Sequence, residues 1–455
     1  MHPLGFNVKE LDDKVLLTSV FGAWRILSKE EYESISRKGK VFDMLEECGI
    51  IVTEKNVGRL RDRIRSAFSF LLAPPNLHVV VVTDRCDHGC VYCRAKQSER
   101  DMDHTTARRV ADFILSSSSR FLTIEFQGGE SLLNYPMLRY FMEYVEERRS
   151  DRVINFRLVS NLSAMDERIF NELMDKRVEL STSLDGPKKL HDRLRPHAES
   201  SYDKVVHWIK YAREKSYRIS AMPTITRKSL GYGRKIVDEY ARLGLSQITL
   251  RPVACLGRAA EDWKRVGFSA DEFFRFWSDA LDYCISLSRG GTPIIEGTTV
   301  SILERLALGR CSNMCARSPC GAGISQLAYD PAGDIYPCDS SRGFEEFRIG
   351  NVSDVSFRQV IEKTSHLRGI SNLTTFCDSC VWSPFCGTCL VEGYCREKSP
   401  ISIKPRDFGC QLNAMQLEFV VKKLAGEDED ILAMWLKAVF PERLYEPRIY
   451  TRKRN

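Results

Sequence analysis

Residues 78–94, HVVVVTDRCDHGCVYCR, decide how the chain is read. The valine run bounded by polar residues reads as a buried strand, with the continuous apolar pattern of a parallel sheet. Directly after it, within Thr83–Arg94, Cys86, Cys90 and Cys93 stand at CxxxCxxC spacing on one short loop. Ligands of α/β folds bind at the carboxyl ends of the strands, which is where this loop emerges. Three close thiols suit a [4Fe–4S] cluster with one iron left open to a small chelating molecule. A structural zinc knot wants four ligands, and no fourth is nearby.

The 455 residues predict two or three domains, and 43% apolar with 28% charged residues describe an ordinary globular chain. A formal charge of +6 is too mild to imply nucleic acid. No run of eighteen apolar residues offers a membrane span. The N-terminus lacks an apolar signal core, so a cytoplasmic protein is expected. Sixteen cysteines in such a chain point to metal or redox chemistry rather than to disulfides.

Upstream, residues 1–74 form a small unit. Lys14–Thr18 and Ala23–Leu27 read as strands around a Val20-Phe-Gly turn, and Ser28-Lys-Glu-Glu reads as a capping box opening a helix through Ile35. Helical patterns follow at Val41–Cys48 and Val57–Phe70. Such a unit is either a winged, peptide-holding module or an extension covering the barrel. Ala73-Pro-Pro-Asn76 marks its boundary.

Residues 75–254 alternate strands (78–83, 121–126, 153–159, 178–184, 218–225, 247–253) with helices near 104–116, 135–148, 166–175, 202–215 and 234–243. Alternation of this kind implies a parallel sheet with right-handed crossovers, here a partial (β/α)6 TIM-type barrel with an open side for a large substrate. Polar residues gather at the strand ends: Gln127-Gly128-Gly129-Glu130, Ser160-Asn161, Ser183-Leu-Asp185-Gly186-Pro187 followed by His191 and Arg195, and Arg251-Pro252. Paired glycines let a backbone approach a ligand, and an arginine holds carboxylates. A tight turn or a solvated charge explains each of these separately as well.

CxxxCxxC with Tyr92 before its last cysteine, then GGE and six βα units, resembles the radical S-adenosylmethionine superfamily. The resemblance implies a cluster on Cys86, Cys90 and Cys93 whose open iron binds the amine and carboxylate of S-adenosylmethionine. Electron transfer then cleaves that cofactor to a 5′-deoxyadenosyl radical, which abstracts a substrate hydrogen. By position, Gly128, Gly129 and Glu130 would meet the methionyl amine, Ser160 the ribose, and Tyr92 the adenine edge through its backbone. Ser183 and Arg195 match cofactor-contacting positions of peptide-modifying members, and Ser131 stands where a proline often follows GGE.

A bridge, 255–310, carries the aromatic helix Asp271–Ser288 and a helical segment at Val300–Leu308. Residues 311–410 then hold ten cysteines: 311, 315, 320, 338, 377, 380, 386, 389, 395 and 410. Leu327–Tyr329 and Asp334–Tyr336 read as a hairpin turning at Asp330-Pro-Ala-Gly333. Spacing alone leaves a zinc ribbon open for the paired CxxC motifs. The field resembles the SPASM extension of peptide-acting radical enzymes, which implies two auxiliary [4Fe–4S] clusters. Cys320, Cys338 and Cys389 would bind the first with Cys315 or Cys311 as fourth ligand, and Cys377, Cys380, Cys386 and Cys410 the second. The Cys386–Cys389 spacing is one residue short of the usual Cx3C, which leaves Cys395 as the alternative to Cys389 or to Cys410. Cys48, Cys255 and Cys284 read as core residues. Asp339 matches the proposed base of sulfatase maturases, with a turn cap as the other reading. Helices at Leu417–Leu424 and Ile431–Val439 and a basic tail, Arg448–Arg454, complete residues 411–455.

Several runs, among them Ile124–Glu130, Leu180–Pro187, Ser318–Gly323 and Asp334–Pro337, are most similar to maturases of the His-Xaa-Ser peptide system. That implies a ribosomally made precursor peptide as substrate, side-chain crosslinking as reaction, a ferredoxin- or flavodoxin-class electron donor, and a second maturase of the system as a partner. The alternatives are a sulfatase-type maturase forming formylglycine, and a non-enzymatic zinc-rich scaffold that binds peptides.

Overall fold

The computed structural model describes residues 5–37, 39–309, 312–365, 375–399, 405 and 407–441. Cys311 and the basic tail lie outside the described residues.

Strands β1 (Phe6–Leu11), β2 (Lys14–Ser19) and β3 (Trp24–Ser28) form an antiparallel sheet in that order. β1 is an addition to the sequence reading, because Lys9 and Glu10 interrupt its apolar pattern. The Ser28 box is present: its hydroxyl accepts from Glu31 N (3.1 Å) and its own N–H donates to Glu31 Oε2 (2.9 Å). One face of the sheet packs Val15, Leu17 and Leu27 on Leu45, Ile50 and Ile51. The other sends Leu11, Leu16 and Trp24 into the main core. Polar contacts from the sheet run to the cysteine-rich C-terminal part, with Thr18 Oγ1 donating to Val381 O (2.8 Å) and Asn7 Nδ2 to Cys380 O (3.1 Å). Trp24 Nε1 donates to Leu306 O (2.9 Å), so this unit bridges distant parts of the chain.

The valine run becomes β4 (Leu77–Val81), followed by β5 (Phe121–Gln127), β6 (Val153–Val159), β7 (Glu179–Ser183) and β8 (Ile219–Met222), all parallel. Helices His104–Leu115, Tyr135–Arg148, Glu167–Asp175, Ser201–Glu214 and Gly233–Arg242 cross between the strands close to where their periodicity placed them. The last expected strands are broken: β9 (Thr224–Ile225) pairs with β11 (Arg251–Pro252), and β10 (Gln247–Ile248) with β12 (Ile295–Glu296), both parallel.

The parallel set gains a strand from outside the expected six units. β13 (Gln326–Tyr329), from the cysteine-rich part, lies parallel to β4 on the side away from β5. β14 (Asp334–Tyr336) and β15 (Gly350–Asn351) continue the sheet antiparallel, giving the order β15-β14-β13-β4-β5-β6-β7-β8. The expected hairpin is therefore an edge of the barrel sheet. Tyr329 Oη lies 2.9 Å from Nδ1 of the buried His78, whose pKa burial lowers to about 3, so a neutral ring seals this seam. The aromatic helix spans Ala270–Arg289 and packs Phe273, Phe276 and Trp277 inward, while Phe274 meets Phe419 of helix Phe408–Leu424 at 5.7 Å.

Candidate active site

The loop after β4 is seated on the double glycine after β5. Gly129 N donates to Thr83 O (3.2 Å) and Glu130 N to Arg85 O (2.7 Å). A Cβ on Gly129 would stand 2.0 Å from Arg85 O. At Gly128, φ is +142° and a Cβ would meet Val81 Cγ1 at 2.5 Å. Only glycines let these two backbones close on each other.

Glu130 is 1% exposed and points inward. Its Oε1 accepts from Ser160 Oγ (2.7 Å) and Leu132 N (3.0 Å), and its Oε2 from Asn161 N (2.7 Å). Burial raises its pKa to about 7 against these hydrogen bonds. The two residues expected at the cofactor's amine and ribose are thus bonded to each other, and Ser160 Oγ also accepts from Leu162 N (2.9 Å). Their side chains tie the ends of β5 and β6 together, which leaves the backbone of Gly128 and Gly129 as the group facing the loop.

A second network closes over Cys90. Asp185, fully buried, accepts from Tyr92 Oη, from Arg195 Nε (2.8 Å) and from Thr224 N (2.9 Å). Arg195 lies 5.2 Å from the Tyr92 ring and sends Nη1 to 3.8 Å from Cys90 Sγ. The carboxylate expected beside Arg195 is one of the chain's own. Ser183 ends β7 at the level of Met222. Asp185 was quoted only as part of a strand-end run, and nothing in the sequence links it to Tyr92, ninety-three positions away.

Asp87, next to Cys86, meets His88 Nδ1 (2.7 Å) and accepts from Asn161 Nδ2 (2.8 Å), while His88 stacks on His197 at 4.5 Å between centroids. Burial opposes ionisation of Asp87, but hydrogen bonds from His88, Ser163 and Asn161 outweigh it and lower its pKa. This knot, which the sequence reading missed, ties the loop to the end of β6 and, through His88 Nε2 and Ser201 Oγ (2.8 Å), to helix Ser201–Glu214.

The thiols fit a cluster. Burial raises Cys86 to about 12 and also raises Cys90, with neighbouring Cys93 adding and Arg195 opposing. Metal coordination is what overcomes such a cost. One tetrahedral zinc needs thiolates about 3.8 Å apart. Among the described residues no three cysteine sulfurs lie within 4.8 Å of one another, as the wider frame of a multi-iron cluster allows.

In the cysteine-rich part, Cys320 is raised to about 12 by burial and then by Cys315 and Cys338, and Cys389 is raised by burial and then by Cys320 and Cys338. These four gather despite the short Cys386–Cys389 spacing. Cys380 and Cys410 line one cavity of about 570 Å³, while Cys377 lines another of about 310 Å³ with Asp378 and Pro384. Cys255 is buried as expected, and its thiol shares a hydrogen bond with that of Cys395. Cys284 is buried within helix Ala270–Arg289, and Cys48 is half-buried with its thiol 3.4 Å from Leu45 O. All fifteen described cysteines are free thiols.

Asp339 opposes Arg94, which also donates to Ser340 Oγ (3.1 Å) and Gln127 Oε1 (3.3 Å). Its Oδ1 accepts from Arg342 Nε (3.0 Å). Burial would raise its pKa, yet Arg94 and Arg342 bring it down to about 2. So held, it is ionised at neutral pH and a weak base.

Residues 80–232 match the model of the Radical SAM superfamily. An uncharacterised protein of Methanocaldococcus jannaschii is 27% identical over 174 residues, 38% of this chain, and the chain spans 60% of that relative's length. The cysteine-type anaerobic sulfatase-maturating enzyme of Clostridium perfringens is 20% identical over 380 residues, 79% of this chain and 100% of the relative. Among solved structures, anSMEcpe with bound AdoMet superposes at a TM-score of 0.69 and 19% identity over 80% of this chain and 99% of that one. Streptococcus suis SuiB bound to the precursor peptide SuiA gives 0.58 at 16% identity, over 90% and 99%. Among the described residues no helix is long and apolar enough to cross a membrane. A three-cysteine loop seated on a double glycine at the mouth of a parallel half-barrel thus lies within the residues that match the Radical SAM superfamily model, and the chain carries a radical SAM domain similar to that of peptide and protein maturases.

Proposed function

We propose that this chain oxidatively modifies, by crosslinking, side chains of a ribosomally made precursor peptide. The carrying observation is the loop of Cys86, Cys90 and Cys93 at the end of β4, closed by Gly128 and Gly129 and overlain by Arg195. When bound there, a [4Fe–4S] cluster and S-adenosylmethionine supply a 5′-deoxyadenosyl radical that removes a substrate hydrogen. In this reading the three thiolates hold the cluster, Gly128 and Gly129 offer backbone to the cofactor, and Tyr92, Ser183 and Arg195 border it. Cys315, Cys320, Cys338 and Cys389 hold one auxiliary cluster, and their mutual influence supports that grouping. Cys377, Cys380, Cys386 and Cys410 hold the other. The N-terminal unit, residues 1–74, holds part of the peptide, a ferredoxin- or flavodoxin-class protein delivers electrons, and a second maturase of the same system assists. SuiB, bound to its precursor peptide, supports a peptide substrate for a fold of this kind.

A second reading, formylglycine formation from Cys or Ser, is favoured by the similarity to the sulfatase-maturating enzyme. Anaerobic reconstitution tests the enzyme reading: dithionite should release 5′-deoxyadenosine from S-adenosylmethionine, and a colourless zinc protein that releases none overturns it. Mass spectrometry of the co-expressed peptide separates the two products. A crosslink loses hydrogens and resists fragmentation inside its ring, whereas formylglycine presents a reactive aldehyde.

A further inference from the structure

Glu125 lies on the inner face of the half-barrel. In β5 the alternate residues Leu122, Ile124 and Phe126 are buried, and Phe126 packs on Phe141 of helix Tyr135–Arg148 at 5.7 Å. Thr123, Glu125 and Gln127 therefore point the other way, into the space the strands enclose, and each is half-buried. Gln127 closes the strand at the barrel mouth, where its Oε1 accepts from Arg94 Nη2 (3.3 Å). Its Nε2 donates to Glu125 Oε1. Glu125 thus sits below Gln127, two residues or about 6.6 Å deeper in the barrel.

Two carboxylates share one guanidinium on this wall. The register sets Glu125 beside Arg157 of β6, and Arg157 beside Glu179 of β7. Arg157 Nε turns to Glu179 Oε2 (2.8 Å), and Asn155 Nδ2 donates to the other oxygen of Glu179 (2.9 Å). At the mouth, Arg94 is held by Asp339. Among the described residues Glu125 forms no ion pair, and its carboxylate accepts from the amide of Gln127. Burial raises its pKa against that bond, in keeping with a carboxylate short of a counterion. A carboxylate held partly away from water without a cation is costly, and a cation arriving from outside offsets that cost.

We propose that Glu125 binds the cationic end of a lysine or arginine side chain of the peptide substrate. Its depth selects a long basic residue, whose aliphatic stem spans the step from Gln127 down to Glu125. The backbone of that residue then stays at the mouth, where Gln127 meets the arginine that follows Cys93. The proposal rests on the peptide-maturase reading and gives it a specificity-determining residue.

The test uses the anaerobically reconstituted holoenzyme, saturated with S-adenosylmethionine and without reductant. Three probes are titrated by ligand-observed NMR: N-acetyllysine N-methylamide, N-acetylarginine N-methylamide, and N-acetylnorleucine N-methylamide as the neutral control. At least one cationic probe should bind about tenfold or more tightly than the control, and the tighter of the two names the side chain. Glu125→Gln, which keeps a partner for Gln127, should abolish the preference with iron content unchanged, and Glu125→Asp should retain part of it. Equal binding of all probes by the wild type overturns the proposal without recourse to a variant, as does a preference that survives Glu125→Gln. A preference that disappears when S-adenosylmethionine is added also overturns it, because the cofactor then takes the same carboxylate. Failure of the maturase reading would show separately, as absence of 5′-deoxyadenosine under reductant.

Discussion

Glu130 carries a pH dependence whose sign follows from its surroundings. Its folded pKa, about 7, lies above the ordinary value of 4.5, so the fold favours the protonated carboxyl. Its contribution to stability is present in full below about pH 4.5 and is lost as pH rises through about 7. From pH 5 to 8, wild-type apoprotein should therefore lose on the order of 3 kcal/mol relative to Glu130→Gln. Denaturant titrations at the two pH values measure this, and parallel curves would refute it. Asp185 is a buried carboxylate paired with a buried arginine. Asp185→Ala strands Arg195 beside Cys90 and should cost about 3–5 kcal/mol, read by the same titration. GGE and the CxxxCxxC loop were legible because a strand end, a spacing and two glycines are local signals. The bonds of Asp185 to Tyr92 and of Glu130 to Ser160 were not, because each joins residues from different strands.

Elements followed their periodicity where they are long. All five barrel helices fell near their expected spans, since an amphipathic stripe of nine or more residues leaves little ambiguity. The two-residue strands β9 to β12 have no readable period, so their pairings could not be foreseen. β13 illustrates the same limit. It was read as half of a hairpin, but its fully buried QLAY pattern also serves a parallel neighbour nearly 250 positions earlier. Trp24 is the corresponding anchor for the N-terminal sheet, 4% exposed and bonded to Leu306 O. Trp24→Ala should cost about 3–5 kcal/mol and appear as faster proteolysis within residues 5–67 than in the barrel. Uniform proteolysis throughout the chain would contradict that docking.

At the scale of the whole molecule, Arg94, next to Cys93, joins the first cysteine loop to the second cysteine field through its ion pair with Asp339 and its hydrogen bond to Ser340 Oγ. If each group holds its own iron, Cys86/Cys90/Cys93→Ala should abolish cleavage of S-adenosylmethionine and keep about eight of about twelve irons and the brown colour. Loss of all iron, assayed by ferrozine, would mean that the groups do not load independently. The sequence by itself determined the alternating barrel, the cysteine loop and its chemistry, because strand and helix periods and ligand spacings are written within a few tens of residues. Tertiary structure alone decided which thiols gather, that the cysteine-rich hairpin extends the barrel sheet, and that the N-terminal unit docks on that distant region. Those outcomes depend on burial and charge compensation between segments hundreds of positions apart. The loop at 83–94 states what chemistry is available, and the packing around it determines which groups can reach it.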